Sequence, residues 1–291
     1  MENDAFKQLS YLRGVDHPFD NTRDARYFYA SSGHAEALAR LVFLVEDRNM
    51  GIGLLTGEIG CGKTMTSNVF RNNLPSFKYK VVIIENCLLD FDGLLLEIIS
   101  QIKGRRINAD ELPSRYSKLS AFKSALIEDV GKASKHLVLM LDEAQMLSAD
   151  SLDQIRSLTN ISSEKSNLFS VILIGQPELR ALVKSMPQLD QRISLRFHLN
   201  PLHNEEISRY LLFRMRVAGI SGAPRLTAQA VQMISRASRG IPREINRICK
   251  LSLDHAVAHK LAKLDSNVVA LVVADLNLQG TLDFFDEDYH G

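Results

Sequence analysis

The sequence predicts an α/β protein, a doubly wound parallel sheet with helices on both faces, followed by a small all-helical domain. Three observations carry this. Short, continuously apolar runs alternate with segments of helical periodicity up to about residue 200. A glycine-rich stretch joins the first apolar run to the helix after it. Beyond Pro201 only helical periodicity is read.

The elements follow in order. Residues 1–32 form an irregular, aromatic segment containing Tyr11, His17-Pro18-Phe19 and Tyr27-Phe28-Tyr29. A helix is expected from Gly33 to Arg48, with Leu38, Leu41, Val42 and Val45 on one face. Ile52–Thr56 reads as a buried strand, and Lys63–Leu74 as a helix that Pro75 stops. A strand over Lys80–Glu85, a helix over Phe91–Ile102, a polar loop and a helix over Leu119–Lys132 come next. His136–Leu141 is the most apolar strand, Ser151–Ser162 is helical and Phe169–Ile174 is the last strand read. Asn204–Ala218, Thr227–Ser238, Pro242–His259 and Ser266–Asn277 are helical, with Thr227 and Ser266 as expected N-caps. The expected division is an α/β core over 33–200, a helical lid over 201–278 and an acidic tail over 279–291.

Bulk composition bounds the rest. The 291 residues are 45% hydrophobic, enough for one large or two small cores. A net charge of +1 demands no particular partner. Cys61, Cys87 and Cys249 form no CxxC pair and no metal spacing, which fits a reducing compartment. MENDAFKQLS lacks the basic start and apolar stretch of a signal peptide, and no run of about 18 apolar residues occurs. The expectation is a cytoplasmic protein without a membrane span.

Gly57-Glu58-Ile59-Gly60-Cys61-Gly62-Lys63-Thr64 fits GxxxxGK[ST] at every fixed position. Its glycines let backbone N–H groups turn inward as an anion nest, and the following helix adds the positive end of its dipole. Lys63 is the point charge for the β- and γ-phosphates of ATP, and the Thr64 hydroxyl is a ligand for Mg²⁺. Met65 is grouped with the loop as nucleotide-binding. Asp142-Glu143 ends the most apolar strand, where unpaired carboxylates are costly. Asp142 is expected to hold Mg²⁺ and Glu143 to polarise the attacking water. Gln176, at the tip of the strand ending at Ile174, either touches the γ-phosphate or its water, or caps the next helix.

In this order, P-loop, LDEAQ, strand-tip polar residue and helical lid resemble the AAA+ ATPases. More narrowly, HPFDNTRDARYFYASSGHAEALARL, GEIGCGKT, LDEAQMLS, LIGQPELR, LDQRISLRFHLNPL and SRGIPREINRIC resemble the ExeA/MshM group of secretion and type IV pilus biogenesis, over residues 15 to 255. The resemblance implies a trans-acting arginine, Arg192, with Arg196 as the fallback and Arg180 behind both. It implies a sensor arginine, Arg243, that contacts phosphate within its own subunit, and a nucleotide-pocket contribution from residues 1–32. It also implies a nucleotide-dependent homo-oligomer, a ring or a helical filament, partnered by secretion or pilus assembly proteins. Larger ExeA-type members add a membrane span and a peptidoglycan-binding module, and the chain is expected to resemble the shorter MshM-like members. It also resembles the TnsC/TniB-type regulators of DNA transposition, which share the same core and would make DNA or a transposase the partner. A third reading is a nucleotide-gated adaptor with little turnover. Between Arg225 and Lys263, eight Lys/Arg stand against two Asp/Glu, which suits either phosphate tracking or a solvated face. The tail Leu282–His290 is acidic and aromatic, either a docking peptide or simply solvated.

Overall fold

A computed structural model describes residues 17–85, 87–161, 167–219, 225–261 and 263–278. The chain divides into two compact units: residues 32–59 with 63–200, and residues up to 31 with 60–62 and those from 201 onward. The acidic tail and the first part of the aromatic segment, Tyr11 included, lie outside the described residues.

The α/β unit opens with α1 (Ser32–Glu46) and continues as β1 (Ile52–Gly57), α2 (Lys63–Asn73), β2 (Tyr79–Ile84), α3 (Phe91–Lys103) and α4 (Arg115–Ala125). It closes with β3 (His136–Leu141), α5 (Ala149–Leu158), β4 (Phe169–Gly175), α6 (Pro177–Lys184), the single turn α7 (Pro187–Asp190) and β5 (Ile193–Leu199). The sheet is parallel, in the order β2-β3-β4-β1-β5. Every residue of β1, β3 and β4 is buried, which is why these segments read as unbroken apolar runs. Leu137, Leu139, Leu141 and Phe169 face one core with Leu94, Leu95, Ile98 and Phe122. Each such aliphatic side chain contributes about 1.5–3 kcal/mol when fully buried. Phe122 and Phe169 meet edge to face at 5.7 Å.

Two features of this unit differ from the expectation. β5 is a fifth strand, paired to β1 as Leu55↔Phe197 and Thr56↔His198. It is an edge strand with exposed Ser194 and Arg196, so its apolar residues are interrupted. The helix expected from Leu119 begins at Arg115, because Ser114 and Ser117 form a reciprocal capping box there. It then widens into a π-helical turn over Leu126–Gly131.

The second unit contains α8 (Asn204–Val217), α9 (Ala228–Ser238), α10 (Pro242–Ala258) and α11 (Ser266–Leu278). The Thr227 hydroxyl caps α9 by accepting the Ala230 N–H at 3.2 Å. At α11 the cap is Asp265 rather than Ser266: its Oδ1 accepts the N–H groups of Asn267 and Val268 at 3.0 and 3.2 Å. The unit is not wholly helical, since β6 (Arg225–Leu226) pairs in parallel with β7 (Lys263–Leu264).

Residues 17–31 are built into this same unit. Phe19 is 2% exposed in a core with Ile207, Ile245 and Val269. Arg214, 3% exposed on α8, donates to the carbonyls of Pro18 and Asp20, both at 2.5 Å, and stacks 4.5 Å over the Tyr27 ring. Lys250 bonds Asp20, Asn246 bonds Asn21 at 3.0 Å, and Tyr29 packs on Tyr210 and Phe213.

Candidate nucleotide-binding site

The loop at the C-terminal end of β1 turns through Gly60 and Gly62, at φ 85° and 97°, a region that side-chain-bearing residues seldom occupy. Gly57 is required by close approach: a Cβ there would stand 2.6 Å from the Leu199 carbonyl oxygen. Glu58 and Ile59 are exposed, Gly60 and Gly62 half-buried, and Cys61 buried. Lys63 opens α2 and is only 6% exposed. Its ammonium donates to the carbonyls of Gly57 at 2.7 Å and Glu58 at 3.0 Å, so the loop's own oxygens satisfy the charge. Thr64 and Met65, the next two residues of α2, are half-buried.

β3 delivers the carboxylates. The Thr64 hydroxyl donates to Asp142 Oδ2 at 2.9 Å, which joins the start of α2 to the end of β3. Asp142 Oδ1 accepts the Glu143 N–H at 3.0 Å. Burial pushes the Asp142 carboxyl above the usual carboxylate range, against the lowering effect of the Thr64 bond. Cys87, which donates to the Asp142 carbonyl at 3.1 Å, is pushed up to about 12, mainly by burial and then by the two neighbouring carboxylates. Its thiol is therefore protonated at neutral pH and not a nucleophile.

A hydroxyl beside a buried carboxylate is a set of hard oxygen donors, the kind that takes Mg²⁺ through one or two protein ligands and leaves the rest to water and phosphate. The residues fit that ion. Bound there, Mg²⁺ would supply positive charge to phosphate oxygens.

Glu143 adopts φ 53°, ψ 38°, left-handed backbone that is uncommon away from glycine. Its Oε2 accepts from Gln145 Nε2 at 2.5 Å and from Gln176 Nε2 at 3.3 Å. Gln176 stands at the N-cap of α6, yet its side chain makes no cap bond and turns to Glu143 instead. Sequence reasoning missed Gln145. The residue was visible only as the last letter of LDEAQ, and its geometry arises from the turn Ala144–Met146.

The arginines are placed differently. Arg192 is exposed just before β5 and makes no ion pair among the described residues. Arg196 is tied to Asp190 at 2.7 Å and to that residue's carbonyl at 2.6 Å. Arg180 is exposed on α6. Arg243 has an exposed side chain in the first turn of α10, and its backbone N–H donates to the Gly60 carbonyl at 3.3 Å.

The loop between β1 and α2, the acidic end of β3 and the strand order together are the architecture of the AAA+ P-loop proteins, and residues 46–183 match the family described as AAA domain. Residues 46–183 form an AAA domain. The chain is 36% identical over 277 residues to General secretion pathway protein A of Aeromonas hydrophila, a match covering 91% of this chain. It spans about half of that relative, 48%. Among solved structures it is similar to the Aeropyrum pernix ORC2 protein, with a TM-score of 0.66 and 18% identity over 90% of this chain and 72% of that one. It is also similar to Drosophila ORC bound to DNA, with a TM-score of 0.62 and 17% identity over 91% and 68%. At such identities the likeness establishes the fold of the AAA domain and its helical companion. Among the described residues, no helix is long and apolar enough to cross a membrane.

Proposed function

We propose that this chain binds ATP with Mg²⁺ and hydrolyses it to drive assembly with further copies of itself, in the service of a secretion machine. The observation that carries the reading is the Thr64–Asp142 hydrogen bond, with Glu143 next in sequence. It brings a phosphate loop, a pair of oxygen donors suited to Mg²⁺ and a second carboxylate to one place. Lys63 exchanges its loop carbonyls for phosphate oxygens. Thr64 and Asp142 hold the metal. Glu143 takes a proton from water as the water oxygen bonds the γ-phosphorus. The bond to the β–γ bridging oxygen then breaks, and ADP leaves with that electron pair. Gln176 orients the same water.

No group among these supplies positive charge to the outer side of the γ-phosphate. Arg192, exposed and without an ion partner among the described residues, is the residue to supply it across a subunit boundary, and Arg243 is its counterpart within the subunit. A contact of that kind is head-to-tail, so it closes as a ring or continues as a helix. Secretion is favoured as the setting by the 36% identity to General secretion pathway protein A.

The test is sedimentation of the Glu143→Gln variant, which keeps the shape of the site and loses the base. It is expected to be small with ADP and assembled with saturating ATP, with no phosphate release. A variant that stays monomeric in ATP at micromolar protein, with and without DNA, refutes the assembly model. Assembly that requires DNA favours the transposition-regulator reading over secretion.

A further inference from the structure

We infer that Gln145 is the positioning residue of this site: its side-chain amide secures one oxygen of Glu143 and ties it to the tip of β4. The inference rests on the reading of Glu143 as the acceptor of the water proton. Gln145 lies in the 3-10 turn Ala144–Met146, two residues beyond Glu143, and is half-buried. Its Oε1 accepts the backbone N–H of Gln176 at 3.2 Å. A backbone N–H can only donate, so this contact decides which end of the amide is oxygen. The other end is then a donor, and it meets Glu143 Oε2 at 2.5 Å. Gln176 Nε2 reaches the same oxygen at 3.3 Å.

Both amides converge on Oε2. Neither engages Oε1, whose lone pairs are left, among the described residues, to accept a proton from water. The division of labour within one carboxylate follows: Oε2 is the anchor and Oε1 the base. Two further observations fit the anchor. Glu143 sits on left-handed backbone, a conformation that persists only where its surroundings over-determine it. Residue 175 is glycine, and a Cβ there would stand 2.5 Å from Gln145 Oε1, so the last residue of β4 leaves the room that the amide fills. Gln145 thereby links the base to the strand whose tip carries Gln176, and the two polar groups facing the attacking water move as one.

The experiment compares Gln145→Ala, Gln145→Glu and Glu143→Gln with the unaltered chain. It measures steady-state ATP hydrolysis, equilibrium affinity for a fluorescent ATP analogue and the thermal midpoint. Gln145→Glu still accepts the Gln176 N–H but sets a carboxylate against Glu143, so it keeps the tie to β4 and replaces the anchoring donor by a repelling charge. Both Gln145 variants are expected to lose kcat by on the order of ten- to hundredfold, the effect of a misplaced catalytic group, with KM and analogue affinity unchanged. Undiminished kcat in both, with Glu143→Gln inactive, overturns the inference and leaves the Glu143 reading standing. Undiminished turnover in Glu143→Gln overturns the reading and the inference together. Loss of analogue affinity in step with kcat in both Gln145 variants also overturns it, since Gln145 would then support the loop rather than orient the base.

Discussion

Arg214→Ala is expected to loosen residues 17–31 from the helical unit. The guanidinium, 3% exposed, gives one hydrogen bond to each of the Pro18 and Asp20 carbonyls and covers the Tyr27 ring. A hydrogen bond from a charged group contributes about 1.5–3 kcal/mol. A desolvated cation–π contact adds about 2 kcal/mol. Two bonds and one ring contact therefore place the loss near 4 kcal/mol, after some water returns to the freed carbonyls. Against a domain stability of about 5–15 kcal/mol that is a large fraction. Since about 1.4 kcal/mol is tenfold in an equilibrium, the open population should rise by roughly three orders of magnitude. Urea titration with hydrogen exchange over residues 17–31 measures it. Arg214→Lys, a point charge without the planar fork, should recover only part of the loss. A change below about 1 kcal/mol for Arg214→Ala would show that Phe19 and Tyr29 hold the segment unaided and that the clamp is incidental.

Three other outcomes are expected. Lys63→Ala should abolish binding of a fluorescent ATP analogue, and an unchanged dissociation constant would refute the loop assignment. Arg192→Ala should leave that affinity intact and lower hydrolysis about 10³-fold, the range of trans arginines; mixing it with Glu143→Gln subunits should restore activity, and no recovery at any ratio counts against a neighbour-supplied group. His136, fully buried on β3 against Ser170 at 2.9 Å, has its imidazole pushed down to about 4, chiefly by burial. The unfolded chain, titrating near 6.5, binds more protons between pH 6.5 and 4, so stability should fall as pH drops through that window, by up to about 3 kcal/mol. His136→Gln should flatten the fall in urea midpoints, and an equal fall in both proteins would refute the assignment.

The sequence was most legible where a rule is local. Buried parallel strands must be apolar on both faces, so β1, β3 and β4 announced themselves, and Thr227 read correctly as a cap. β5 escaped because the same rule was applied to an edge strand, whose Ser194 and Arg196 face water. The cap of α11 was misplaced by one residue because Ser266 and Asp265 are both good acceptors in sequence, and only the backbone decides between them. In the site, the glycine loop and the Asp142-Glu143 pair are contiguous motifs with fixed spacing. The ties of Gln145 to Glu143 and Gln176 depend on a left-handed residue and a strand tip meeting in space, which no spacing in the chain encodes.

The strand order has a consequence for the order of events during synthesis. β1 carries the phosphate loop, yet its ladder partners are β4 and β5, beginning at Phe169 and Ile193. While the ribosome is still making α3 and α4, β1 has no strand neighbour on either side. Pairings this distant along the chain are slow to close and expose the nascent segment to aggregation. The loop should therefore acquire affinity for nucleotide late and abruptly, once the residues through Leu199 have emerged. A truncated product ending before Phe169 would then be a client for chaperones rather than a partial enzyme.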